Sequence, residues 1–251
     1  MPQNGGLLRS LANFLTGRSM SNFALLNTET HRGLKVRPDA AAKYGDNQRF
    51  VSVIPAEFPL LAVHYPILIA KDATNGELAL GALLGFDENE NLFLTDKGMD
   101  SYRPLNLQRG CFFAANDQVA IDMDSPRIGK DGEALFDDKG QPTQFLQNVM
   151  AIFRELIQGT AQAKQFVETL EKLKLLEAID INASFHDGSK NTLSGVFTIH
   201  QANLRALADD QVLDLFRREY LQAIYLMIAS LRQLPVLLQM KAKTLQPATA
   251  A

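Results

Sequence analysis

The chain of 251 residues has no tryptophan and one cysteine, Cys111. A single cysteine excludes an intrachain disulfide and any zinc site built from cysteines alone. Neither sign of charge dominates: 25 Lys and Arg face 28 Asp and Glu, a formal net charge of −3. No global field therefore draws the chain to nucleic acid. There is no phosphate-binding glycine loop, no dinucleotide fingerprint, no G-x-S-x-G nucleophile elbow and no His pair at zincin spacing. His186-Asp187 lacks the His-x-Asp spacing of a non-haem iron triad. Long apolar runs are also missing. Residues 60–70 are broken by His64 and Pro66, and 221–240 by Arg232, Pro235 and several Gln, so the latter reads as a packed helix end and not a membrane span. The residue pattern thus implies no metal, no cofactor and no nucleic-acid partner.

What is present is apolar mass. Hydrophobic residues make up 46% of the chain, enough to bury a full core without staples. The first 25 residues stand apart. They carry Arg9 and Arg18 but no acid, and Leu7, Leu8, Leu11, Phe14 and Leu15 recur at helical spacing. That spacing would suit a short amphipathic helix over 7–18, the alternative to a disordered arm or upstream extension. A secretory signal is not expected, because Arg9 and Asn13 interrupt the apolar stretch and no small-residue cleavage site follows. Met20-Ser-Asn-Phe offers a second translation start beside Met1. Residues 1–25 read as a disordered arm or upstream extension, and 26–251 as a single domain.

The pattern predicts an α+β protein, with an antiparallel β-rich N-terminal half packed with a helical C-terminal half. Residues 30–48 read as an extended polar entry segment and 49–54 as a strand. Pro55, with Glu57 in the first turn, opens a short helix that ends before Pro66. Strands over 66–71 and 78–86 flank a turn at 72–76. A short strand follows at 91–95. Residues 111–115 and 118–122 form a hairpin around Asn116-Asp117. The acidic segment that follows carries Asp122, Asp124, Asp131, Glu133, Asp137 and Asp138. It misses the calcium-loop pattern and reads as a solvated loop. In the second half, Phe145, Val149, Ile152, Phe153, Leu156 and Ile157 make one helical stripe. Gly159-Thr160 interrupts or joins the next helix, 161–176. Residues 178–185 and 192–199 form a hairpin around Asp187-Gly188-Ser189, and 201–207 a helical turn. A long last helix runs from Asp209 or Asp210 to about Met240. Its apolar face (Leu213, Phe216, Tyr220, Ala223, Ile224, Met227, Ile228, Leu231) suits either the core or a partner.

Few residues invite chemistry. If 57–64 is helical, the seven-residue spacing puts Glu57 and His64 on one face, where a carboxylate orients an imidazole for acid–base work. An ordinary buried polar pair has the same spacing. His31, His186 and His200 read as structural or exposed. Cys111, followed by Phe112-Phe113, reads as a core residue, with Arg109 the one nearby group that favours a thiolate. Glu57, His64, Tyr65 and Asn91 are polar residues embedded in apolar blocks, and are the candidates for a binding face.

These blocks carry a resemblance. Asn27-Thr-Glu-Thr-His31-Arg32-Gly-Leu34, Glu57-Phe58 and Tyr65-Pro66-Ile67 are similar to the opening of SapC-family proteins. Leu83-Leu84-Gly85-Phe86 with Glu90-Asn91-Leu92-Phe93-Leu94 is similar to that family's central block. Tyr102-x-Pro104, Leu135-Phe136-Asp137-x-x-Gly140-x-Pro142-Thr143 and Ser194-Gly195-Val196-Phe197-Thr198-Ile199 continue the likeness, with Leu204 and Leu207 after them. It covers roughly 25 to 240. Two places depart from the family: Met99 stands where an aromatic, usually Trp, is expected, and Arg109-Gly110-Cys111-Phe112 replaces an Arg-x-Tyr-Pro-Phe segment. The resemblance implies a bacterial accessory protein linked to surface-layer or envelope function, with a surface-layer or export component as partner. It carries over no catalytic residue. The expected location is cytoplasmic, or at the cell surface without a standard signal peptide. The alternatives are a cofactor-free enzyme using Glu57 and His64, and a metal-dependent oxygenase-like protein using scattered His and Asp.

Overall fold

The computed structural model describes residues 22–71, 76–115, 118–185 and 188–245. The 7–18 stretch, most of the 72–76 turn, Asn116-Asp117 and His186-Asp187 lie outside these residues. In chain order the elements are β1 (Phe23–Leu25), α1 (Thr28–His31), β2 (Lys35–Val36), β3 (Phe50–Ser52), α2 (Phe58–Leu61), β4 (Ile67–Lys71), β5 (Leu78–Leu83), β6 (Leu94–Thr95) and β7 (Gly98–Met99). Then come α3 (Leu105–Gln108), β8 (Phe112–Ala115), β9 (Gln118–Asp122), β10 (Ile128–Gly129), β11 (Glu133–Ala134) and α4 (Gln144–Lys172). Next follow β12 (Leu176–Ser184), β13 (Lys190–Ile199), α5 (Gln201–Arg205), α6 (Asp209–Arg217), α7 (Tyr220–Ser230) and α8 (Gln233–Thr244). The class is α+β, with antiparallel sheets weighted to the first half and helices to the second. The described residues fall in two compact units. The first takes residues up to Asp46, 96–98 and 105–157; the second takes 47–95, 99–104 and 158 onward.

The first unit holds two small sheets, ordered β1-β9-β8 and β10-β2-β11. Phe23 to Leu25 pair with Asp122 to Ala120. Val36, Phe112, Ile121, Leu135, Leu146 and Val149 share its core, and Cys111 lies among them. The segment 37–46 has little backbone pairing of its own. It wraps the guanidinium of Arg127, which is 2% exposed. Arg127 donates to Asp46 at 2.5 Å and to the carbonyls of Arg37 and Asp39 at 3.1 and 2.7 Å. It also stacks over the buried Tyr44 ring. Asp46 Oδ2 accepts in turn from the Ala41 amide at 2.9 Å. The expected solvated acidic loop therefore carries the deepest cation of the unit. Its charges do face water, but Arg127, Leu135 and Phe136 turn inward.

The second unit is built on a five-stranded antiparallel sheet, β12-β13-β4-β5-β3. Strand register sorts its side chains. Leu68, Leu83, Val196 and Ile181 share one face, which Leu237 of α8 covers. Ile67, Ile69, Leu80 and Ala82 point to the other and are almost fully buried. Each buried Ile or Leu among them contributes about 1.5–3 kcal/mol when taken from water. The hairpin β12–β13 joins this sheet, so strands of both chain halves make one layer. Ile179 faces Val196 and Ile181 faces Leu193, a shift of one residue. Val196 and Leu193, three apart, would lie on opposite faces of a regular strand. The bulge brings both over one core, and Gly195 takes its φ of +75°.

Of the two alternatives at Gly159-Thr160, the helices join: α4 runs unbroken for 29 residues. A glycine is needed because a Cβ there would sit 2.4 Å from Ile54 Cδ1. The long last helix is three helices. Glu219 at φ +62° breaks the first junction, and a turn at Leu231-Arg232 makes the second. As one stretch, Tyr220–Thr244 is long and apolar enough to cross a membrane by length and composition, with 28% of its most apolar window buried. Within the unit, Tyr220, Ala223, Ile224, Met227 and Leu237 of this stretch are buried. Lys241 pairs with Asp87 and Glu90 at 2.5 and 2.6 Å. Those two contacts hold the Lys241 ammonium against the 87–90 turn.

Gly159→Ala improves helix propensity by about 0.5–1 kcal/mol but forces a methyl against Ile54. The expected net result is a loss of roughly 1–2 kcal/mol in urea unfolding. Gly195→Ala meets no neighbour within 4 Å and is expected to lose about 1–2 kcal/mol from backbone conformation alone. Arg127→Ala leaves Asp46 buried without its cation, and the same measurement is expected to register a loss of roughly 3–5 kcal/mol.

Candidate functional site

The polar candidates come together in the second unit. Pro55 fixes the start of a 3₁₀ turn, Pro55–Glu57, that leads into α2. Glu57, third in the turn, reaches back so that the Ile54 amide donates to Oε2 at 3.1 Å. This is the carboxylate half of a capping box. Glu57 Oε1 accepts from the Tyr102 hydroxyl at 3.3 Å. The helix stops at Leu61, and the chain turns through Ala62–His64 to enter β4.

Tyr65, at that entry, is fully buried. Its hydroxyl donates to the Tyr102 carbonyl at 2.6 Å, and Ser101 Oγ lies 2.5 Å away. With its own hydrogen committed to the carbonyl, the phenol oxygen accepts from Ser101. Its ring meets Phe93 edge-on at 4.6 Å. Burial pushes the Tyr65 phenol up to about 12, against a smaller opposing effect of the Ser101 bond. Asn91 is buried as well. Its Oδ1 accepts from the Phe93 amide at 3.1 Å, an Asx turn, and its Nδ2 points at Met99 Sδ at 3.8 Å. Met99, where the family resemblance calls for an aromatic, is thus a sulfur contact for Asn91. One residue beyond Tyr65-Pro66, the Ile67 amide donates to Ser230 Oγ at 2.9 Å, and Ser230 donates to the Met227 carbonyl at 2.6 Å. This ties the last turn of α7 to β4.

Glu57, Tyr65 and Asn91 therefore build an internal network that holds 99–104, and they do not form an exposed face. His64 alone is partly open to solvent. Its ring tilts against Tyr65 at 5.9 Å and makes no bond to Glu57. The seven-residue helical spacing is lost because α2 ends four residues after Glu57. Sequence reasoning missed Ser101 and Tyr102 as the partners. Tyr102-x-Pro104 was visible only as a motif, and nothing local ties it to Tyr65.

In the first unit, Asn27 Oδ1 caps α1 by accepting from the Thr30 amide at 2.9 Å, and His31 is buried beneath it. Thr28 Oγ1 donates to the Gly140 carbonyl at 3.4 Å. Asp137 Oδ1 accepts from the Lys139 and Gln141 amides, both at 2.8 Å. Burial pushes the Cys111 thiol up to about 11 and the Arg109 guanidinium down to about 10. Cys111 is thus a neutral thiol near neutral pH. Arg109 donates to the Phe112 carbonyl at 2.7 Å and stacks on Phe113. Among the described residues no three His, Cys, Asp or Glu side chains converge as metal ligands would.

A family model described as SapC matches residues 26–237. No curated protein and no solved structure matches the chain.

Tyr65→Phe removes the donor to the Tyr102 carbonyl and is expected to lose about 1–3 kcal/mol in unfolding experiments. The raised phenol also sets a pH window. Below pH 10 the phenol is protonated whether the chain is folded or not, so its contribution is complete. Between about pH 10 and 12 the unfolded chain releases the proton first, and stability falls. Melting temperatures across that range are expected to fall more steeply for the native chain than for Tyr65→Phe.

Proposed function

Because the chain belongs to the SapC family, we propose that it is an accessory protein of surface-layer or envelope function that works by binding a protein partner, a surface-layer or export component. The observation that carries this reading is where the apolar surface lies. In the second unit α2, α6 and α7 pack on one another in sequence, α2 on α7 and α6 on α7. Each leaves large apolar side chains in water: Leu60, Leu213, Phe216 (67% exposed) and Tyr225, with Val63 just past α2. Exposed aromatic and aliphatic side chains on packed helices are the features a partner helix or groove uses. The polar residues of the motif blocks support the same reading from inside. They are spent on backbone and on one another, and they hold the turn that carries Leu60 and Val63.

The test is co-purification from the native host with and without Leu213→Ser/Phe216→Ser. Both side chains are exposed, so stability is expected to stay within about 0.5 kcal/mol. The expected result is a surface-layer or export component, identified by mass spectrometry, that enriches with the native chain and is lost with the variant. Equal recovery by both proteins, or enrichment of metabolic enzymes only, contradicts the reading.

A further inference from the structure

At the C-terminal end of α4 the second unit has an open pocket of about 410 Å³. Its floor is Leu78, Leu176 and Phe197, and its rim carries Lys71, Glu171 and Lys174. Register explains the floor. Lys71 faces Leu78 across β4–β5, and Phe197 faces both Ile69 and Ala178, each two residues from a lining position. Lys71, Leu78, Leu176 and Phe197 therefore share one sheet face. Farther along that face Ile67 and Ile69 are covered, but at this end the three apolar floor residues stay half-buried.

The described rim residues are charged, two lysines and one glutamate. Among the described residues the side chains of Lys71, Glu171 and Lys174 form no ion pair. Among the described lining residues, two lysines against one glutamate leave one net positive charge. Lys174 is also held in an unfavourable backbone. The Lys174 amide bonds to the Glu171 carbonyl and the Leu175 amide to the Leu170 carbonyl, at 2.9 and 2.8 Å. This is a Schellman ending whose left-handed position ordinarily takes glycine. Here Lys174 occupies it at φ +54°. A glycine would fit the turn better, and it would carry no charge to the pocket. Strain kept at a pocket rim is a reason to look for function there.

We propose that this pocket binds a small anionic amphiphile, an acyl body seated on Leu78, Leu176 and Phe197 and one singly charged acid group, carboxylate or phosphodiester, between Lys71 and Lys174. Glu171 disfavours a dianion. The chemistry fits a free fatty acid or the headgroup region of an anionic lipid. The experiment follows methyl resonances of Leu78 and Leu176 in the full chain during titration with decanoate, dihexanoylphosphatidylglycerol and the neutral control decanol. Saturable shifts are expected with decanoate or with the short-chain lipid, and whichever binds more tightly identifies the source. Lys71→Gln/Lys174→Gln is expected to weaken that binding on the order of fivefold to tenfold. Lys174→Gly is expected to raise the melting temperature while weakening binding, which separates ligand loss from misfolding. No saturable shift with either anion, equal affinity for decanol, or undiminished binding by both variants overturns the proposal.

Discussion

A polar group taken out of water must find its partner inside the fold, and both units of this protein are arranged around that requirement. In the second unit the Tyr65 hydroxyl needs a donor and an acceptor, and the 99–104 segment supplies both through Ser101 and the Tyr102 carbonyl. In the first, the Arg127 guanidinium needs acceptors on several sides, and 37–46 wraps it with two carbonyls and the Asp46 carboxylate. Neither segment has a long backbone ladder to order it. Each takes its shape from one buried side chain, whose unmade bonds would cost several times what a typical made bond contributes.

This organisation bears on function. Most residues that look reactive in the sequence are held in structural roles, His64 excepted. Glu57 caps a turn and receives Tyr102, Tyr65 is a phenol held neutral well past physiological pH, and Cys111 is a buried thiol in an apolar core. The motif blocks that resemble the family sort between the two units. Glu57-Phe58, Tyr65-Pro66, Asn91-Leu92-Phe93 and Tyr102-x-Pro104 meet in the second unit. Asn27-Thr28, Gly140 and Asp137 meet in the first. What remains for recognition is on the surface: apolar side chains on packed helices and a charged rim around an apolar floor.

The sequence made much of the scaffold legible. Alternation located the strands of both hairpins, and the Phe145–Leu156 stripe located α4, because each pattern reflects one buried face. Pro55 with Glu57 marked a turn start for a local reason, a fixed φ followed by a carboxylate within reach of a free amide. The misses share a cause. Arg127 sat in an acidic, glycine-punctuated segment, and its partners lie more than 80 residues away. Gly159 left a break or a join open because propensity is local, whereas the Ile54 side chain that demands a glycine is not. The Glu57–His64 spacing assumed a helix three residues longer than the one that forms. Left-handed Glu219 gave no warning of the break between α6 and α7, since its composition is that of a good helix former.

Within the second unit, the polar residues of the motif blocks act as one buried network. The direct test is a double-mutant cycle on Glu57→Ala and Tyr65→Phe, read by urea unfolding. Both side chains bond to Tyr102, one through its hydroxyl and one through its carbonyl. A coupling of about 0.5–3 kcal/mol between the two changes is expected. Additive losses, equal within about 0.3–0.5 kcal/mol to the sum of the single variants, would contradict a single network.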